Sequence, residues 1–259
     1  MQILSSADNP HIKTLKKLIA QRRARHDARL MVLDGIHLLD SALRADCQPT
    51  QVFISESGTL NDEITLLQRR VQGAKLYVLP DRLFATLTEL GSPTGIFSVL
   101  PWPVLPARSP IQTLVLLDDV QDPGNVGTIL RTAAAAGVDA VYLSPGCADA
   151  WSSKVLRAGM GAHFSVQIYP HADLLATLAA FDGQVVTTVL NAPTSLYATD
   201  LCMPTAWLFG NEGAGVSRDL IAASDTPVHI PMPGHAESLN VAASVAIGLF
   251  EQIRQRQAR

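Results

Sequence analysis

The spacing of apolar residues changes along the chain, and each change marks an element. Ile12, Leu15, Leu18 and Ile19 recur at the three-to-four spacing of an amphipathic helix, with the lysines elsewhere on it. Asn9 stands where a cap belongs and Pro10 in the first turn. The pattern predicts a basic first helix running through Lys13 to Arg25. Residues 30–33, 51–54, 76–79 and 96–100 read as short strands, and residues 36–45, 60–71 and 82–90 as helices. Together they predict a small α/β domain over residues 1–100.

Pro101, Pro103, Pro106 and Pro110 follow within ten residues. Proline removes a backbone donor and fixes φ, so this stretch is neither helix interior nor central strand. It reads as a stiff linker over residues 101–110, with a second domain over 111–259. There the apolar runs 114–117, 140–143, 185–190, 206–209 and 228–230 look like strands buried on both faces. Helical segments between them predict a mostly parallel sheet. The last segment, from Leu239 to about Gln257, has apolar residues at Leu239, Ala242, Ala246, Leu249 and Ile253. Val245, Ile247 and Phe250 widen that stripe, which should be buried in the core or against a second subunit.

Composition narrows the class. Of 259 residues, 47% are apolar and 17% charged, which excludes a disordered or fibrous chain. Cys47, Cys147 and Cys202 are odd in number and far apart, so no disulfide framework or CxxC site can be built and a reducing cytoplasm is expected. No apolar run reaches the length of a membrane span, and the N-terminus lacks a signal-peptide core. The net charge of −3 hides an asymmetry. Residues 1–30 carry Lys13, Lys16, Lys17, Arg22, Arg23, Arg25 and Arg29 against Asp8 and Asp27, a balance of +5, and the remainder carries −8. A basic arm on an acidic body is either a local polyanion contact or a solvated helix face.

Several familiar site patterns fail. The glycines from Gly210 have the spacing of a phosphate loop, but Val216 stands where its lysine must be. A GxGxxG fingerprint, HExxH and GxSxG are absent, and no PCxxC follows His235-Ala236-Glu237, so no metal is expected. Three segments remain, each where an apolar strand runs into a loop and then a helix. In open α/β sheets ligands bind at these strand ends. In DDVQDPGNVGTILRT a helix should start near Asn125, placing Asn125, Thr128, Arg131 and Thr132 within an arc of about 120°. Arg131 has no carboxylate at i±3 or i±4, so it is a phosphate or ribose contact, a surface arginine, or half of an interface salt bridge. In LFGNEGAGVS, three glycines within six positions make either a tight structural turn or, together with Glu212, a loop that lets a ligand approach the backbone closely. In IPMPGHAESLN, Ser238 is a candidate helix cap, with Asn240 in the first turn.

Together these segments resemble the three signature motifs of the SpoU (TrmH-like) family of RNA ribose 2′-O-methyltransferases. DDVQDPGNVGTILRTAAAAG, LFGNEGAGVS and IPMPGHAESLNVAASVAIGLFE occur in the family's order. The opening SxxNPHIKTLKKL and the stretch MVLDGIHLLDSAL resemble the substrate-binding module of longer members, with Asp34 where glutamate is usual. The resemblance implies a C-terminal α/β trefoil-knot domain behind a smaller α/β RNA-binding domain. It implies S-adenosylmethionine (AdoMet) as cofactor, held by Leu190, Asn191, Gly210, Asn211, Gly215, Ile230, Met232, Ser238 and Leu239. It also implies a homodimer through the last helix. Arg131 matches the family's catalytic arginine, and Asn125, Glu212, Ser238 and Asn240 match its other active-site positions. Lys13, Lys16, Lys17, Arg22, Arg23 and Arg25 are then expected to grip RNA, large-subunit rRNA ahead of tRNA. A non-catalytic RNA-binding assembly factor is the rival from another class.

Overall fold

The computed structural model describes residues 1–106 and 108–258; Ala107 and Arg259, which the expected linker and second domain include, lie outside the described residues. The first part of the chain contains β1 (Gln2–Ile3), α1 (Pro10–Ala20), α2 (Arg22–Ala28), β2 (Leu30–Asp34) and α3 (Ile36–Arg44). Then come β3 (Gln51–Ser55), α4 (Asp62–Arg70), β4 (Lys75–Leu79), α5 (Asp81–Ala85) and β5 (Ile96–Pro101). The second part contains β6 (Thr113–Leu117), α6 (Pro123–Ala135), β7 (Ala140–Leu143), α7 (Ser153–Gly159), β8 (Gln167–Pro170), α8 (Leu174–Ala179) and β9 (Gln184–Thr188). It ends with β10 (Thr194–Ser195), β11 (Thr205–Phe209), α9 (Arg218–Ala222), β12 (Thr226–His229) and α10 (Val241–Gln257).

The chain folds as two compact units: residues 1–104 with 151–164, and residues 105–150 with 165–259. The first unit is built on a sheet of order β1-β4-β3-β5-β2, in which β5 runs antiparallel to β2 and β3. Alternation along its strands sorts side chains to two faces. Val32, Phe53, Phe97 and Val99 meet Ile12, Leu15 and Leu18 of α1 and Phe84 of α5. Val52, Ile54 and Ile96 meet Leu39 and Leu43 of α3 and Ile64 and Leu67 of α4.

Four expectations are corrected in this unit. The first helix is not continuous to Arg25: it breaks at Gln21, an extended residue (φ −114°, ψ 115°), and α2 restarts from there. The break lets Arg25 turn inward. Its guanidinium donates to the carbonyls of Leu18 and Ile19 at 2.7 and 2.8 Å, satisfying the open end of α1, and the residue is only 5% exposed. Arg25 is therefore structural and not displayed for RNA. The helix expected over 82–90 stops at Ala85. The Thr86 hydroxyl bonds back to Leu83 O, and Thr88 turns away to donate to Asp34. Finally, residues 151–164, expected in the second domain, pack in the first unit. Trp151 stacks on Trp102 at 4.5 Å between ring centroids, and Arg157 faces Asp34 and Glu89 at 3.9 and 3.5 Å.

The second unit holds a sheet of order β10-β12-β9-β11-β6-β7-β8, parallel throughout. Leu114, Leu116, Ala206 and Leu208 point to one face, under Leu174, Leu178 and Leu220. The alternate residues Val115, Leu117, Trp207 and Phe209 are wholly buried on the other. There α10 comes so close that a Cβ on Gly248 would sit 3.2 Å from the Trp207 ring. Gln252 of α10 accepts from Trp207 Nε1 at 3.0 Å and donates to Leu201 O. The short strands β8 and β10 carry no continuous apolar run and were not expected. Among the described residues, no helix is long and apolar enough to cross a membrane, and no cluster of His, Cys, Asp and Glu could hold a metal.

Candidate active site

The parallel sheet sends its strands the same way, so the loops after β6, β9, β11 and β12 share one edge of the second unit. A cavity of about 380 Å³ opens there. Its walls come from the ends of β9 (Thr188, Val189, Leu190), the loop after β11 (Gly210, Asn211, Glu212, Gly213, Gly215) and β12 (Val228, Ile230, Met232), and from the start of α10. Every expected cofactor residue except Asn191 lines it: Leu190, Gly210, Asn211, Gly215, Ile230, Met232, Ser238 and Leu239. Thr188, Val189, Val228, Val241 and Ser244 line it too and were not foreseen, having no polar motif to mark them.

The glycine loop is a closed hairpin of backbone. Asn211 and Gly215 exchange both N–H···O bonds, at 3.0 and 2.9 Å. Asn211 Oδ1 accepts from the amides of Gly213 and Ala214. A Cβ on Gly210 would lie 2.1 Å from the carbonyl carbon of Gly215, so only glycine permits this crossing.

Three expected catalytic residues are brought together here although far apart in the chain. α10 is capped by Asn240, not by Ser238, which lies in the loop before it. Asn240 Oδ1 accepts from the amides of Ala242 and Ala243, at 2.9 and 3.3 Å. That cap fixes which end of the Asn240 amide faces outward, and its Nδ2 donates to Asn125 Oδ1 at 2.9 Å. Asn125 is thereby oriented as well, and its Nδ2 donates to Glu212 Oε1 at 2.9 Å. A helix cap thus sets two amide orientations and delivers a donor to one carboxylate.

α6 begins at Pro123, earlier than expected, because Asp122 caps it and accepts from Asn125 N at 2.7 Å. Glu212 sits against this helix start. Partial burial works against its charge. The Asn125 side chain and the backbone amides of Glu212, Gln121 and Asp122 outweigh that and hold its carboxyl below the usual range. Glu212 is the one ionisable residue on the cavity wall, so the described lining is anionic. Arg131 lies two turns along α6, is exposed, and among the described residues makes no hydrogen bond or ion pair. Asn125 and Arg131 stand outside the lining of the cavity.

The SpoU rRNA Methylase family model matches residues 112–250, and the MRM3-like substrate binding domain matches residues 9–98. The Bacillus subtilis 23S rRNA (guanosine(2553)-2′-O)-methyltransferase RlmP is 32% identical over 252 residues, covering 96% of this chain and 98% of its own. An AdoMet-bound rRNA methyltransferase from Sinorhizobium meliloti superposes with a TM-score of 0.84 at 28% identity, over 98% of this chain and 97% of its own. The AdoMet complex of the SpoU methyltransferase AviRb from Streptomyces viridochromogenes gives 0.87 at 25% identity, over 96% and 99%. The signature segments, the two-domain α/β fold and the cavity at the strand ends agree with these matches: the chain belongs to the SpoU rRNA Methylase family and is an AdoMet-dependent RNA ribose methyltransferase.

Proposed function

We propose that the protein methylates a ribose 2′-OH of large-subunit rRNA. The observation that carries the substrate choice is the full-length likeness to RlmP, which extends through the first unit and not the catalytic motifs alone. The cavity suits the cofactor. Its volume of about 380 Å³ lies within the range of small-molecule sites. Leu190, Ile230, Met232 and Leu239 offer apolar walls, and Asn211, Ser238 and Asn240 offer polar groups. The single charge on the wall, Glu212, is complementary to a ligand of net positive charge such as a sulfonium bearing an amino-acid tail. When bound, AdoMet supplies a methyl group that is already electrophilic.

The chain's own residues then have to align the hydroxyl and manage its proton. Arg131 is permanently cationic and carries a planar fork of donors, so it is a poor base and a good phosphate clamp. In this reading it holds the phosphate beside the target ribose and stabilises the alkoxide that develops as the 2′-OH loses its proton to that phosphate. Asn125, oriented from both sides, keeps Glu212 fixed against the start of α6. Exposed Lys16, Lys17 and Arg23 supply the grip on RNA. The outer side of α10, where Phe250 is 50% exposed, supplies a homodimer surface. The trefoil threading of the second unit and a cytoplasmic location belong to the same reading.

The test is methyl transfer from labelled AdoMet to unmodified total RNA, followed by size fractionation and identification of the labelled nucleoside. Label in a 2′-O-methylnucleoside of large rRNA is expected. Label confined to tRNA would keep the reaction and overturn the substrate.

A further inference from the structure

Two residues at the end of β6, Asp118 and Asp119, have no part in the reading above, yet they tie the loop after β6 to the glycine loop. Asp118 N donates to Phe209 O at 2.9 Å, just before that loop. Asp118 Oδ2 accepts from Ser217 N at 2.8 Å, at the loop's exit. Asp119 O accepts from Asn211 Nδ2 at 2.8 Å, at its entry. Asn211 cannot turn this donor elsewhere without giving up the amides of Gly213 and Ala214, which its Oδ1 holds.

The tie at the entry requires an unusual backbone. Asp119 has φ +53°, in the left-handed region that Asp and Asn tolerate better than most residues. A built seat holds it there. Asp119 N donates to Ser144 Oγ at 2.9 Å, and the same hydroxyl donates to Asp119 Oδ1 at 2.7 Å, closing a ring. Ser144 is itself anchored by its N–H to Leu117 O at 3.0 Å. Beneath the carboxylate lies Gly146, where a Cβ would come within 2.1 Å of Asp119 Oδ1. The carboxylate is committed to Ser144 and is absent from the cavity wall, which argues against a role as catalytic base.

We propose that Asp118 and Asp119 are positioning residues of the cofactor pocket: they hold the glycine loop at its exit and entry, and Ser144 locks Asp119 in the conformation that its tie to Asn211 requires. The proposal rests on the reading that the glycine loop lines the AdoMet site. In it the chemistry is untouched, and the energy of holding the loop is spent on cofactor affinity.

The variants Ser144→Ala, Asp119→Ala, Asp119→Asn and Asp118→Ala test this against the full-length protein. Losing one such hydrogen bond should weaken AdoMet binding about five- to tenfold by calorimetry, with KM for AdoMet rising in step. kcat at saturating AdoMet and KM for RNA should stay within about twofold. Asp119→Asn keeps both an acceptor for Ser144 and the tolerance for positive φ, so it should bind like the wild type. Amide exchange across residues 211–217 of the cofactor-free protein should accelerate by a similar factor in Ser144→Ala and Asp119→Ala. Unchanged exchange in both, or a loss of kcat at saturation with unaltered affinity, overturns the proposal. If Asp119→Ala does not fold, Ser144→Ala carries the test, since it removes the lock while keeping an aspartate, which tolerates positive φ, at position 119. A wild-type protein that fails to bind AdoMet would defeat the reading of the pocket, while the exchange measurement would still decide the clamp.

Discussion

Arg25 and Arg131 show how differently one residue type is used within one chain. Arg25 is spent on the open carbonyls of α1, and Arg131 stands in solvent with no partner among the described residues. Replacing Arg25 with Met orphans two carbonyls and should cost about 2 kcal/mol in denaturant unfolding, with RNA affinity of the folded protein unchanged. A loss of RNA affinity without loss of stability would return Arg25 to the RNA-facing set. Arg131→Ala should lower kcat about 10²–10³-fold, the range seen when a donor to developing charge is removed, with AdoMet affinity and thermal midpoint unaffected. Near-normal turnover of Arg131→Lys would count against a planar, two-pronged clamp. Asn125, Glu212 and Asn240 were legible only through the resemblance of their segments to the family's motifs, and the structure brings the three side chains together. Asp118 and Asp119 were not legible. Their partners Ser217 and Asn211 stand 99 and 92 positions away, and two aspartates at a strand end otherwise look like turn residues.

Among the elements, the strands buried on both faces were read closely, because an unbroken apolar run has few other meanings. The end of α1 escaped, since the basic run after Gln21 continues in helix-forming residues and only the inward turn of Arg25 explains the break. α10 starts two residues later than its sequence pattern suggests, for a related reason. Ser238 and Asn240 are both good caps, and only the bonds to Ala242 and Ala243 choose between them. The far end of α10 shows a dependence that no amphipathic pattern reveals. Gln252 takes the buried Trp207 Nε1 and returns a donor to Leu201 O, and Gln255 does the same for Thr199 O and Leu201 N. Gln252→Leu keeps the volume but orphans both buried partners, at about 1–3 kcal/mol each. We expect a loss of about 3 kcal/mol in denaturant unfolding, and a change below about 1 kcal/mol would mean that the clasp contributes little.

For the whole molecule, a net charge of −3 would repel RNA if it were spread evenly, so binding depends on where the positive charge is free to act. The six residues expected to grip RNA are not equivalent. Lys13 is held 2.9 Å from Asp8, whose carboxyl is pulled below the usual range first by that hydrogen bond, and Arg25 is buried. Arg23 pairs with Asp27 at 3.4 Å, but both are largely exposed, so water screens the pair and leaves Arg23 available. Lys16 and Lys17 are exposed and make no ion pair among the described residues. Phosphate contacts release counterions, and each one lost should flatten the dependence of log affinity on log salt by about 0.7–0.9. Neutralising Lys16, Lys17 and Arg23 together should therefore lower that slope by about 2 to 3, and raise KM for RNA far more than it lowers kcat. Lys13→Gln should do less than Lys16→Gln, because Lys13 donates a direct hydrogen bond to Asp8 at 2.9 Å, tighter than the 3.4 Å contact of Arg23, while Lys16 has no paired carboxylate to give up among the described residues. A triple variant that lost kcat alone would move these residues from docking to chemistry. Equal effects of Lys13→Gln and Lys16→Gln would show that RNA displaces Asp8 from Lys13 on binding.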